Sequence, residues 1–221
     1  MKKYSTVIFD LDGTLLNTLD DLSASVNYAL EVCGYPLRNV DEVRRFVGNG
    51  VEKLIERAVP EEASGEDTKA CLDIFKVHYK DNMNNQTRPY DGIMEILENL
   101  KAKNIKIAVV SNKMDYAVKV LCENKFNGFI QVAIGSSKGV AKKPAPDTVL
   151  EALRSLDSKS EEALFVGDSD VDMETAKNAS ITSVGVTWGF RDREILEAAG
   201  ADFIIENPKE LDSFFSLKNK D

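Results

Sequence analysis

TVIFDLDGTL, residues 6–15, sets two carboxylates, Asp10 and Asp12, at the end of a short apolar run. Thr6 to Phe9 is β-branched or aromatic in character and bounded by Gly13, which predicts a buried strand. Two acids therefore sit where that strand stops. An unpaired buried carboxylate is costly enough to shift its pKa or to demand a cation. A metal ion is the expected companion, and an N-cap for the following helix is the plainer use of either acid.

Five further short apolar runs follow: Ile105 to Val110, Gln131 to Ile134, Ala163 to Val166, Ile181 to Val186 and Asp202 to Ile205. Helical patterns separate them. Ile93, Ile96, Leu97 and Leu100 share one face of a helix for which Asp91 is the expected N-cap. Tyr116 to Leu121, Asp147 to Leu156 and Met173 to Ala179 repeat the theme. Strands alternating with helices of this size predict an α/β fold, a doubly wound parallel sheet of Rossmann-like form with helices on both faces. Between about Leu19 and Gln86 the alternation breaks. Leu22, Val26, Ala29 and Leu30 form one stripe, Val43, Phe46 and Val47 a second, Val51, Leu54, Ile55 and Ala58 a third, and Leu72, Phe75 and Tyr79 a fourth. The expected organisation is a core of residues 1–17 and 87–221, with an all-helical insert, 18–86, after the first strand.

At 221 residues, 43% hydrophobic and 29% charged, the chain can bury a substantial core. Its net charge of -9 argues against nucleic acid or an anionic membrane as partner, since both need clustered Lys and Arg. Cys33, Cys71 and Cys122 are scattered, with no disulfide or zinc spacing, which fits a reducing cytoplasm. The Met1-Lys2-Lys3 start is followed by too short an apolar run for a secretory signal, and no run is long enough to span a membrane. The tail SLKNKD is expected to fray. A monomer or a homodimer is expected.

Polar residues gather where strands are predicted to end: Asp10 and Asp12 after the first, Ser111 and Asn112 after IAVV, Asp168 after LFVG. Ligands of parallel sheets bind at the carboxyl ends of strands, so these positions converge in space. Asp168, Asp170 and Asp172, three acids in five residues, repel one another unless something positive compensates. Hard oxygen ligands suit magnesium (Mg2+), which takes only one or two carboxylates, and Asp10 with Asp168 can supply those. Asp172 falls on the side of Asp168 if a helix starts there, whereas Asp170 points elsewhere. Lys143 precedes Pro144 and is expected to end a loop within reach of the site; Lys142 competes for that role. The parts suit phosphoryl transfer. A phosphomonoester dianion approaching Asp10 needs metal, ammonium, the Ser111 hydroxyl and loop amides to offset repulsion, and Gly13 frees the loop backbone to cradle phosphate oxygens.

These residues also resemble the four motifs of the haloacid dehalogenase superfamily: DLDGTL at 10–15, Ser111 with Asn112, Lys143 with Pro144, and GDSDVD at 167–172. Order and placement match along nearly the whole chain. The resemblance implies that Asp10 is the nucleophile forming an aspartyl-phosphate, and that Asp12 protonates the leaving alcohol and then activates water. It implies that Ser111 bonds the transferring phosphoryl group and Lys143 neutralises it. Magnesium would be held by Asp10, by the backbone carbonyl of Asp12, by Asp168, and by Asp172 directly or through water. With an acid at Asp12 the chain resembles the phosphatase branch, since dehalogenases proper lack one there.

Within the superfamily, the helical insert resembles the small cap that closes over the site. FVGNGVEKLIERA, RPYDGIMEIL and GVTWGF together resemble phosphoglycolate phosphatases and their relatives, whereas Asn17 and Thr18 stand where many relatives carry Asp and Ser. A small phosphorylated metabolite is the expected substrate, with Gly13 and Asn112 at the phosphate. Arg45, Asn49, Lys53 and Arg57 are candidates for a second anionic group, and Trp188 for a wall of the pocket. His78, the only histidine, is assigned no catalytic role. The alternatives are a sugar phosphomutase or pyrophosphatase of the same superfamily. A receiver-like signalling module is disfavoured, since its Lys would follow the last acid.

Overall fold

Val7 and Phe9 point to one face of the central sheet and Ile8 to the other, so the strand Thr6–Phe9 (β1) is buried on both sides. The structure, a computed structural model, describes residues 4–216. The Met1-Lys2-Lys3 start and the tail beyond Ser216 lie outside the described residues.

The chain continues through β2 (Leu16–Asn17), four helices α1 (Leu19–Val32), α2 (Val40–Phe46), α3 (Val51–Ala58) and α4 (Gly65–Asn82), and β3 (Arg88–Pro89). Then come α5 (Ile93–Ala102), β4 (Lys106–Met114), α6 (Asp115–Phe126), β5 (Val132–Ser136) and α7 (Asp147–Ser155). β6 (Ala163–Gly167), α8 (Asp170–Asn178), β7 (Thr182–Val186), α9 (Arg193–Ala198) and β8 (Phe203–Ile205) complete the alternation. Six strands form one parallel sheet in the order β5-β4-β1-β6-β7-β8. Apolar residues of α5 and α6 cover one face, and those of α7 and α8 cover the other. The doubly wound parallel architecture is as the sequence predicts.

Two local expectations need correction. Gly92, at φ 84°, takes the N-cap position of α5 in place of Asp91, because the chain turns into the helix through a left-handed residue that glycine alone adopts freely. β4 runs on to Met114, so Ser111 and Asn112 lie inside the strand and not after it. Its pairing with β5 slips between Val110 and Met114. Such an irregularity re-aims side chains, and the three polar residues between turn toward the sheet rim.

The insert has its own apolar centre, in which Val26, Leu30, Ile55, Phe75 and Tyr79 are fully buried. An Asn39–Glu42 capping box starts α2, and Ser64 caps α4. Where the chain leaves and re-enters the core, β2 and β3 pair antiparallel. The buried carboxylate of Asp21 clamps this crossing. It accepts from the amides of Gln86 and Thr87 at 3.0 and 2.9 Å and from the Thr87 hydroxyl at 2.8 Å.

Candidate active site

The β1 ladder ends at Asp10, whose amide still donates to the Val166 carbonyl at 2.9 Å. The chain then coils tightly, with the amides of Leu15 and Leu16 both donating to the Leu11 carbonyl. Gly13 sits at φ 86°, and a Cβ there would run into the Asp168 carboxylate. Glycine therefore serves both the turn and the close approach of two loops. Thr14 Oγ1 donates to Asp168 Oδ1 at 3.1 Å, which ties the β1 loop to the end of β6.

Lys143, in the loop before α7, lies with its Nζ 2.9 Å from Asp10 Oδ1 and 2.7 Å from Asp172 Oδ1. The second Asp172 oxygen accepts from the Ser169 amide and hydroxyl at 3.0 and 2.6 Å, closing a capping box at the start of α8. Lys142, the competing lysine, instead pairs with Glu52 of the insert at 2.6 Å. Asp168 accepts from the Phe190 amide at 2.7 Å. Lys113 forks onto Asp12, at 2.9 Å to Oδ1 and 3.1 Å to Oδ2. The sequence reading did not single out Lys113, although its place directly after Ser111 and Asn112 was a signal.

Burial dominates the electrostatics. It raises the Asp10 pKa from the usual 3.8 to about 6, with Asp172 adding to the shift and Lys143 opposing it. Asp168 rises to about 8, through burial first and then the charges of Asp172 and Asp10, against the Phe190 and Thr14 hydrogen bonds. Both lysines are held above the ordinary lysine range by their carboxylates, which outweigh burial.

These shifts describe a site short of positive charge. If Asp10, Asp12, Asp168 and Asp172 are all ionised, Lys113 and Lys143 leave two negative charges in excess, which one divalent cation would neutralise. Carboxylate oxygens of Asp10, Asp168 and Asp172 lie within 4.8 Å of one another. Among the described residues the Lys143 ammonium, at 2.9 Å, is the one group that comes to this buried Asp10 oxygen. Three buried carboxylates converging with so little positive charge between them are hard oxygen ligands that fit a metal ion. Asp10 and Asp168 are the better placed ligands, since Asp172 already spends both oxygens on Lys143 and Ser169.

A cavity of about 40 Å3 lies between this rim and the insert. Asp10, Asp12, Ser111, Asn112, Lys113 and Asp168 line it below, while Leu22, Val47, Gly48, Gly50, Val51 and Leu54 line it from the insert. Asn112 reaches the wall but uses its amide to join the Lys143 backbone, at 2.8 and 3.0 Å, to the Gly48 carbonyl at 3.2 Å.

Three insert cations and an amide depart from the sequence reading: Arg45, Lys53, Arg57 and Asn49 are not among the residues that line the cavity. Val51, Leu54 and Ile55 turn the buried face of α3 inward, so Lys53 and Arg57 face out. Lys53 pairs with Glu56 at 2.7 Å, and Arg57 donates to Asn49 Oδ1 and the Phe46 carbonyl, each at 2.8 Å. Arg45 is exposed. Trp188 does not line the cavity either; its Nε1 donates to the Thr14 carbonyl at 3.0 Å. The cation that comes to the wall from outside the strand ends is Arg191, in the loop after β7. His78 stacks on Tyr28, away from the acids.

A family model described as haloacid dehalogenase-like hydrolase matches residues 7–186. The chain belongs to this family. It is 33% identical over 206 residues to the phosphoglycolate phosphatase of Aquifex aeolicus (strain VF5), covering 93% of each chain. To the phosphoglycolate phosphatase of Mesorhizobium japonicum it is 35% identical over 198 residues, 86% of each. Among solved structures, a candidate phosphoglycolate phosphatase from Lactobacillus delbrueckii subsp. bulgaricus superposes with a TM-score of 0.92 at 32% identity, over 97% of this chain and all of the other. This haloacid dehalogenase-like hydrolase has, among its described residues, no helix long and apolar enough to cross a membrane.

Proposed function

We propose that this hydrolase removes the phosphoryl group from a small phosphomonoester of the phosphoglycolate kind, through an aspartyl-phosphate on Asp10. The observation that carries the reading is the position of Asp10. It opens on the cavity, Lys143 holds it at 2.9 Å, and Asp12 stands two residues on along the same loop. The names of the relatives support the substrate class.

Asp10 attacks phosphorus while the ester oxygen leaves with a proton from Asp12. Water then attacks the same phosphorus, gives its proton to Asp12, and the bond to Asp10 breaks. The Ser111 hydroxyl and the loop amides around Gly13 bind the phosphoryl oxygens, and Lys143 offsets the charge brought toward Asp10. Asp10, Asp168 and the Asp12 carbonyl would hold magnesium, which supplies positive charge for an incoming dianion. Residues 18–86 act as the cap that excludes water, with 1–17 and 87–221 as the catalytic core.

The test is phosphate release from phosphoglycolate, pyrophosphate, nucleotides and sugar phosphates with magnesium present. Phosphoglycolate is expected to lead. A clear lead for pyrophosphate or a sugar phosphate would replace the substrate assignment, and no release from any ester would end the reading.

A further inference from the structure

Lys113 is a buried ammonium to which the four motifs assign nothing. Its side chain is 2% exposed and touches three things: both Asp12 oxygens, at 2.9 and 3.1 Å, the edge of the cavity, and the ring of Tyr79, whose centroid lies 4.8 Å from Nζ. Tyr79 belongs to α4 of the insert and is wholly buried, and both its ring and its hydroxyl lie against the Lys113 ammonium. The insert thus supplies the aromatic side of the lysine's surroundings. A desolvated ammonium is costly, and a two-pronged grip with an aromatic face beneath it is what makes the position tenable. That grip also removes the freedom of the Asp12 carboxylate to rotate about its own side chain.

We propose that Lys113 is a positioning residue for Asp12, holding its carboxylate toward the leaving-group oxygen, and that Tyr79 makes this hold depend on the insert being seated. The inference rests on the reading of Asp12 given above. In the first step the Asp10–phosphorus bond forms, the ester bond breaks, and the departing oxygen takes the Asp12 proton. In the second, water replaces Asp10 on phosphorus and its proton goes to Asp12. Both transfers need the carboxylate within hydrogen-bond reach of the moving proton. With the insert lifted, water would replace the Tyr79 ring around Lys113, and Asp12 would lose its fixed orientation before any substrate was committed.

The test compares leaving groups. Phosphoglycolate loses an alkoxide that must be protonated, whereas acetyl phosphate, of similar size, loses acetate, which needs no proton. Phosphoenzyme formation is timed by rapid quench for wild type, Lys113→Met, Lys113→Arg and Tyr79→Leu with magnesium. Lys113→Met is expected to lose about 100-fold with phosphoglycolate, the lower end of what a positioned acid contributes, and much less with acetyl phosphate. KM should change little for either, and Lys113→Arg should recover part of the loss. Tyr79→Leu should show the same leaving-group bias in weaker form, which keeps the inference open to refutation if Lys113→Met fails to fold. Equal losses on both substrates, or a loss lying wholly in KM, would overturn it while leaving the phosphatase reading intact. A wild type that forms no phosphoenzyme with either substrate would end both.

Discussion

Lys143 and Asp172 meet at 2.7 Å with both side chains closed off from solvent, and the same ammonium lies 2.9 Å from Asp10. One cation from the loop before α7 thus organises acids from β1 and α8. Breaking a buried pair from one side leaves an uncompensated charge. Lys143→Met is expected to destabilise the metal-free protein by about 3–5 kcal/mol in urea titrations, with magnesium restoring part of the loss. A variant as stable as wild type in EDTA would show that the acids do not need this lysine.

Asp10→Asn keeps the shape of the site and removes its nucleophile. Activity should fall by at least about 10^4-fold, the scale on which deleting a covalent nucleophile acts. Intact-mass measurement should find no phosphoryl adduct on the variant. Appreciable turnover would exclude the covalent route.

The pH dependence of the metal-free protein follows from Asp10 and Asp168, whose folded pKa values, about 6 and about 8, lie above the unfolded value of 3.8. A raised carboxyl pKa means that the folded state holds protons the unfolded state has released. The stability these groups contribute is complete below pH 3.8 and is lost as pH rises through 6 and then 8. In EDTA, Tm is therefore expected to decline from pH 5 to 8, and magnesium should raise Tm more at pH 8 than at pH 5. A Tm gain from magnesium that does not vary with pH would contradict this. Calcium, with its looser and larger shell, should support little turnover.

Arg191 reaches from the core to the end of α2, donating to the carbonyls of Arg44, Arg45 and Val47 at 3.1, 3.5 and 2.6 Å. Those are the carbonyls that a helix end leaves unpaired, and a cation there is favoured by the helix dipole. Arg44 answers from the insert with a 3.0 Å pair to Asp192. Arg191→Ala should loosen the seating of the insert and lower kcat/KM by about tenfold, since hydrogen bonds to a charged group contribute about 1.5–3 kcal/mol. Faster limited proteolysis within the insert should accompany the loss. Unchanged kinetics and protease resistance would show that the latch has no part in closure.

Much of the fold was legible in TVIFDLDGTL and in the runs that follow it, because strand and helix periodicity are local properties of a chain. The α/β alternation, the helical insert and the gathering of Asp10, Ser111 and Asp168 at one rim come from such patterns joined to the rule for parallel sheets, whereas Lys143 is read only from Pro144 and from its company with the other residues. The sequence by itself determined which side chains carry the charge and which strand ends present them. Tertiary structure alone decided how those charges pair. Lys113 forks onto Asp12 from 101 positions away, Asp172 closes onto Lys143 and Ser169, and Lys142 turns to Glu52. It also decided that Lys53 and Arg57 face water while Arg191 reaches the cavity wall. Periodicity shows that a helix has a polar face, but which part of that face meets a ligand depends on what the helix packs against, and that neighbour is set by contacts remote in the chain.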